Sequence, residues 1–268
     1  MKEDKIKPYA VVTGASKGLG KCFALELAKR KINTILVALP DEGIGKVAEV
    51  CIEAGSESVC YETDLTRVDN IIALGKWINE KYPVNILINN AGTGGTAGFS
   101  ESKIEYVNNL IQINITATTL LTHQLLPNLL QQDEAYILNV SSIASFSPMA
   151  NKAVYAASKN FINIFTSGLR EELKKTRVFV TAVYPGPMKT NKSITDRIKK
   201  QGLLGKIGLL TPEKVAEESI RGLFQKKHRI VIGVPNKISR MLLIHVPSWL
   251  RLPILSKAVK RENQLKVE

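Results

Sequence analysis

Apolar positions fall along this chain in two alternating patterns. Short runs rich in Val, Ile, Leu and Tyr predict strands at Tyr9–Thr13, Thr34–Ala38, Ser58–Thr63, Val84–Asn89, Ala135–Ser141, Arg177–Tyr184 and His228–Ile232. Several are apolar almost without a break, as expected of strands covered on both faces. Between them the spacing turns helical. Leu19, Phe23 and Leu27 form one stripe, Ile104 to Leu130 predicts a long helix, and Tyr155 to Lys175 predicts another. Pro212, with Glu213 and Lys214, opens a further helix, where a proline in the first turn removes no helix bond.

Repeated strand–helix alternation calls for a parallel sheet with right-handed crossovers. The fold class expected is α/β: a doubly wound, Rossmann-like sheet of about seven strands with helices on both faces. No internal repeat of the solenoid kind is present. Residues 1–268 are expected to form a single domain. It divides into a cofactor-binding and catalytic core (8–190), a substrate lid and last strand (191–235), and a basic, apolar C-terminal extension (236–268).

The first strand runs straight into Thr13–Gly20, TGASKGLG, and then into a helix. Gly14, Gly18 and Gly20 let the backbone turn tightly and approach a pyrophosphate, and the helix N-terminus offers free N–H groups to it. Tyr155 and Lys159 are spaced i, i+4 on a predicted helix, so both lie on one face. An ammonium beside a phenol favours the phenolate and brings a pKa near ~10 towards the range of a proton shuttle. None of the other six tyrosines has a Lys four positions later. Taken alone, this pair is better read as an ordinary surface pair on a helix.

Together these segments resemble the short-chain dehydrogenase/reductase family over Tyr9 to Thr190. TGASKGLG resembles its cofactor turn, with Ser16, Lys17 and Leu19 among the contacting residues. Asp64-Leu65 resembles the pair placed near the adenine. Asn89-Asn90-Ala91-Gly92 resembles NNAG, which ends the fourth strand. Asn114 matches the active-site asparagine, which the resemblance implies holds a water linking Lys159 to solvent; a solvent-facing amide is the alternative. Ser142, thirteen residues before Tyr155, matches the serine, with Ser141 as its competitor. Tyr155-Ala156-Ala157-Ser158-Lys159 matches YxxxK, and Lys159 is implied to bind the nicotinamide ribose. Pro185-Gly186, followed by Met188 and Thr190, resembles the PG motif beside the nicotinamide. The reaction implied is hydride transfer between a nicotinamide and a carbonyl/alcohol pair, with Tyr155 as acid/base and Ser142 orienting the oxygen.

NADP(H) is the expected cofactor, with NAD(H) also compatible. The second strand ends at Ala38-Leu39 without the acidic residue that reads a ribose 2′-OH, and Asp41 and Glu42 come one turn too late. No Arg follows for a 2′-phosphate, so Lys17 is the candidate partner; a solvated Lys is the alternative.

Composition adds mostly exclusions. Hydrophobic residues make up 44% and charged residues 23%, an ordinary globular balance. Cys22, Cys51 and Cys60 form no CxxC pair and only three His accompany them, so no metal site is expected. The N-terminus has no apolar signal segment, and a cytoplasmic location is expected. The net charge of +13 is concentrated late: Arg197 to Glu268 holds 16 Lys/Arg against 5 Asp/Glu.

Met241 to Ser256 is rich in Leu, Ile and Trp but is broken by Pro247, Arg251 and Pro253, and it is too short to span a bilayer. Lys237, Arg240, Lys257, Lys260 and Arg261 flank it. This composition suits peripheral membrane contact through 237–261. The tail also resembles the extended apolar tails of family members that reduce 3-oxoacyl, 3-oxosphinganine-like or steroid ketones, which implies a lipophilic ketone substrate. The alternatives are a helix packed on the body or on a partner subunit, a reductase of small polar carbonyls, and a non-catalytic NADP-binding sensor or scaffold. A homodimer or homotetramer is expected, and no nucleic-acid partner, since no motif or interleaved aromatics for one are present.

Overall fold

The computed structural model describes residues 7–188 and 208–263. Thr190, residues 191–207 of the expected lid segment and the final five residues lie outside them, as do the side chains of Lys260 and Arg261.

Seven parallel strands, β1 (Tyr9–Thr13), β2 (Asn33–Ala38), β3 (Ser58–Glu62), β4 (Val84–Asn89), β5 (Ala135–Val140), β6 (Val178–Val183) and β7 (Arg229–Ile230), stand in the order β3-β2-β1-β4-β5-β6-β7. The order reverses between β1 and β4, which opens a crevice at the carboxyl ends of the central strands. Helices cover both faces. On one lie α1 (Gly18–Lys29), α2 (Ile44–Glu53) and α7 (Pro212–Phe224), which bury Phe23, Leu27, Val47, Val215 and Ile220 against β1, β2 and β4. On the other, α3 (Val68–Lys81), α5 (Ala117–Leu130) and α6 (Ala153–Glu172) bury Ile71, Leu74, Leu121, Leu125 and Leu169. The continuous apolar runs follow from this sandwiching, and every residue of β1 and β2 is buried.

Three expectations shift. The helix expected as continuous over Ile104–Leu130 is α4 (Ile104–Ile111), a wide π turn at Gln112–Thr116, and then α5. The last strand, expected over His228–Ile232, pairs only at Arg229 and Ile230, because Gly233 turns the chain with φ 81° into α8 (Val234–His245). The C-terminal apolar stretch forms two helices, with Pro247 between α8 and α9 (Ser248–Asn263) and Pro253 inside α9. No helix among the described residues is long and apolar enough to cross a membrane.

Candidate active site

The glycine turn, Asp64-Leu65, NNAG, Ser142 and Pro185-Gly186 follow the carboxyl ends of β1, β3, β4, β5 and β6, all on one edge of the parallel sheet. The glycine turn leaves β1 with Gly14 and Gly18 at φ 66° and 56°, a conformation that costs a side-chain-bearing residue energy. A Cβ on Gly20 would lie on the Gly14 carbonyl and 2.6 Å from Asn90 Nδ2, so only a bare backbone packs there. The N-terminus of α1 has no side-chain cap and no acidic residue in its first turn. An open helix end reached through glycines fits a dinucleotide pyrophosphate. Gly14 to Gly20 would hold that group.

The NNAG segment ties this turn to the centre of the sheet. Thr13 Oγ1 accepts from the N–H groups of Asn90 (3.0 Å) and Ala91 (2.9 Å), and Asn90 Nδ2 donates to the Thr13 carbonyl at 2.8 Å. Below it, Asn89 donates to Thr122 and Asn139, and Asn139 to Thr166, a buried chain in which each amide nitrogen finds an acceptor. At the end of β3, Asp64 accepts from the Thr66 amide and hydroxyl, and Leu65 is buried. At the end of β6, Gly186 abuts Asn236 so closely that a Cβ would overlap it. Met188 bridges to Leu210.

Asn114, Lys159 and Tyr155 converge on the loop after β4. A Cβ placed on Gly92 would meet Asn114 Oδ1 at 2.8 Å and Lys159 Nζ at 3.3 Å, and one on Gly94 would meet the Tyr155 ring at 3.1 Å. Asn114 stands in the π turn, and its amide is fully engaged: Oδ1 accepts from Thr93 N at 2.9 Å, while Nδ2 donates to Thr93 O (2.9 Å) and Ser158 Oγ (3.0 Å). Neither end of that amide faces bulk solvent, so the solvent-facing alternative fails. Ser158 in turn donates to the Tyr155 carbonyl at 2.8 Å.

Lys159 is 7% exposed and donates to the Val140 carbonyl at 3.0 Å. Burial pushes its pKa down to about 8. The two serines separate cleanly. Ser141 is buried and spends its hydroxyl on the Lys159 carbonyl at 2.8 Å, whereas the half-buried Ser142 caps the short 3₁₀ turn Ile143–Phe146 by accepting from Ala144 N. Beside Tyr155 lies a cavity of about 30 Å³ lined by Ala97, Phe99, Tyr106, Val107, Leu110 and Val154 among others.

Glu42, which lies past the end of β2, packs against the glycine turn: it accepts from Ser16 Oγ at 2.7 Å and from Lys17 Nζ at 2.5 Å. Lys17 is therefore ion-paired, although its side chain stays 75% exposed. Sequence reasoning also missed Thr13, Ser158, Gly94 and Asn236. Thr13 carried a signal, standing directly before the glycine turn; the others act through contacts distant in sequence.

The short chain dehydrogenase family matches residues 8–201. An uncharacterized oxidoreductase of Staphylococcus saprophyticus is 32% identical, over 84% of this chain and 94% of its own length. Among solved structures, the bulky-bulky ketone specific alcohol dehydrogenase of Comamonas testosteroni superposes with a TM-score of 0.75 at 25% identity, covering 87% of this chain and 90% of its own. A short-chain dehydrogenase of Sphingobium yanoikuyae in complex with NADPH gives 0.74 at 27%, covering 84% and 87%. With the glycine turn, NNAG and YxxxK all at one edge of a seven-stranded parallel sheet, the chain belongs to the short chain dehydrogenase family and is an oxidoreductase.

Proposed function

We propose that this enzyme uses NADP(H) to interconvert a lipophilic ketone and its alcohol, with Asn114, Ser142, Tyr155 and Lys159 as its site residues. The observation that carries the reading is the buried Lys159 ammonium. A charge held in the interior without a carboxylate among the causes of its shift is costly, and such a group is characteristic of chemistry rather than of structure.

Bound NADPH supplies the hydride. Tyr155 Oη gives its proton to the substrate oxygen, and the Lys159 ammonium, on the same helix face, stabilises the phenolate left behind. The Ser142 hydroxyl donates to that same oxygen and holds the carbonyl in line. Asn114 positions: by bonding both backbone groups of Thr93 it fixes the loop whose Gly94 covers the Tyr155 ring. In the oxidative direction the same groups run in reverse. Gly14 to Gly20, Asp64, Leu65, Asn90, Ala91, Gly92, Pro185, Gly186 and Met188 would line the cofactor crevice, with Thr190 beyond the described residues.

The lipophilic substrate rests on apolar surroundings. Ala97, Phe99, Val107, Leu110 and Val154 give the lining beside Tyr155 an apolar side, with Ser102, Asn151 and Lys152 as its polar part, and the Comamonas relative by structure is named for bulky ketones. A panel assayed by NADPH absorbance tests it. Long-chain 3-oxo compounds and steroid ketones are expected to turn over at least tenfold more efficiently in kcat/KM than short polar carbonyls. The opposite ranking would favour the small-carbonyl reading.

The C-terminal helices give the same substrate class a route of delivery. Val234, Ile238, Met241, Leu242, Trp249, Leu250 and Ile254 are exposed, Trp249 by 74%, while Asn236 and Leu243 anchor α8 inward. Lys237 and Lys257 are exposed beside them, whereas Arg240 stacks over the Phe146 ring at 5.1 Å, against the turn that follows Ser142. Among the described flanking residues Arg240 is thus drawn inward, and peripheral membrane contact would rest on apolar insertion together with roughly 1 kcal/mol from each exposed Lys near anionic lipid. Sedimentation with anionic vesicles is expected for the full chain, weakened only modestly by salt, and lost when the chain is truncated after Pro235. Truncation without effect would return α8 and α9 to a packing role. A homodimer or homotetramer would have a second apolar face to use, on α6, where Phe161 stacks on Phe165 and Ile164 is exposed.

A further inference from the structure

Ser16 and Lys17 sit within the turn that would receive the cofactor, between two left-handed glycines. Both of their side chains reach the same partner, Lys17 while staying 75% exposed. Glu42 takes the Ser16 hydroxyl on one carboxylate oxygen and the Lys17 ammonium on the other. It reaches them because the loop after β2 doubles back, with Asp41 at φ 60° and Gly43 at φ 70° on either side of it. The two donors hold the Glu42 carboxyl below its ordinary range, so it is ionised at neutral pH. No other cation at the end of β2 offers a replacement, since Ala38 is followed by Leu39 and Pro40.

This arrangement treats the two nicotinamide cofactors differently. A ribose 2′-hydroxyl is a hydrogen-bond donor, and a carboxylate with two bonds made still has lone pairs for it. A 2′-phosphate seeking Ser16 and Lys17 meets a negative group already bound to both and must displace it. We infer that Glu42 is a specificity-determining residue, a built-in stand-in for the 2′-phosphate that occupies Ser16 and Lys17 and holds down the preference for NADPH over NADH. The inference rests on the proposed nicotinamide cofactor and deepens it. It also gives a physical reason for NAD(H) to remain compatible with a turn that carries a lysine.

Binding of NADPH and NADH, measured by quenching of intrinsic fluorescence and by calorimetry in the parent and in Glu42→Gln, tests this without reference to turnover. Gln keeps the size and one acceptor but removes the charge. Glu42→Gln is expected to tighten NADPH by roughly threefold to tenfold, the Lys17 end of the pair being largely exposed, while NADH changes by less than about twofold. Glu42→Ala should move NADPH in the same direction. The gain should vanish in Lys17→Ala/Glu42→Gln, because the cation being released is then gone. Equal changes for both cofactors, or weaker NADPH binding in both Glu42 variants, would overturn the inference and leave Glu42 as a brace for the turn. A parent chain that binds neither cofactor would instead overturn the cofactor reading beneath it.

Discussion

Tyr155→Phe is expected to lower kcat between a hundredfold and ten-thousandfold while NADPH binding changes by less than about threefold. That range is what a positioned proton donor contributes to a transition state. The substitution is a clean one at this position. Tyr155 stands in the first turn of α6, half-buried, with its ring face against Gly94, and a phenyl ring fills the same space. The helix, the Asn114–Ser158 bond and the Lys159–Val140 bond do not use the phenol oxygen. What is lost is therefore the Oη proton and the interactions of that one atom. Steady-state kinetics with the best ketone of the panel, beside a cofactor titration, separates the outcomes. Turnover within tenfold of the parent would reduce Tyr155 and Lys159 to an ordinary helix pair.

The residues legible in the sequence were those whose role is written in local spacing. Val11, Val12, Ile35 and Leu36 are apolar in unbroken runs because the sheet is covered on both faces, so the parallel architecture could be read before the helices were placed. The glycine turn and YxxxK were readable because three glycines in seven residues, and a Tyr and Lys at i, i+4, leave little else to satisfy. Asn114 was readable as an oddity in a helix, but not the π turn that carries it. No Gly or Pro marks Gln112–Thr116, and the wide turn coincides with an amide pinned to Thr93, twenty-one residues away. The contact of Glu42 with the glycine turn was hidden for a related reason. Counted along the chain it lies past the end of β2, and the left-handed Asp41 and Gly43 turn it towards Ser16 and Lys17. Asn236 fills the space that Gly186 and Gly208 leave open, and each of those glycines looks like a simple turn until its neighbour is known.

Lys159→Met is expected to remove turnover and, at the same time, to stabilise the cofactor-free protein. The ammonium is buried and its pKa is pushed down from 10.5 to about 8 by burial. A folded-state pKa below the unfolded value means that the unfolded chain binds the proton more tightly. Below about pH 8 the cost of holding this charge inside is fully present, and it is relieved as pH rises from about 8 towards 10.5. A shift of that size corresponds to on the order of 3 kcal/mol. Methionine keeps the length and most of the volume of the lysine stem and carries no charge. It leaves the Val140 carbonyl without its donor, which costs about 1 kcal/mol, so the net gain is about 2 kcal/mol, or roughly 4–8 °C in Tm at pH 7. The gain should shrink when melting is repeated near pH 10, where the parent no longer carries the charge. In the parent, ketone reduction should decline as pH rises through about 8, the range in which Lys159 loses its proton and can no longer stabilise the Tyr155 phenolate. A Met variant that melts below the parent at pH 7, or by the same margin above it at pH 7 and pH 10, would show that the buried charge is not what this fold sacrifices stability to keep.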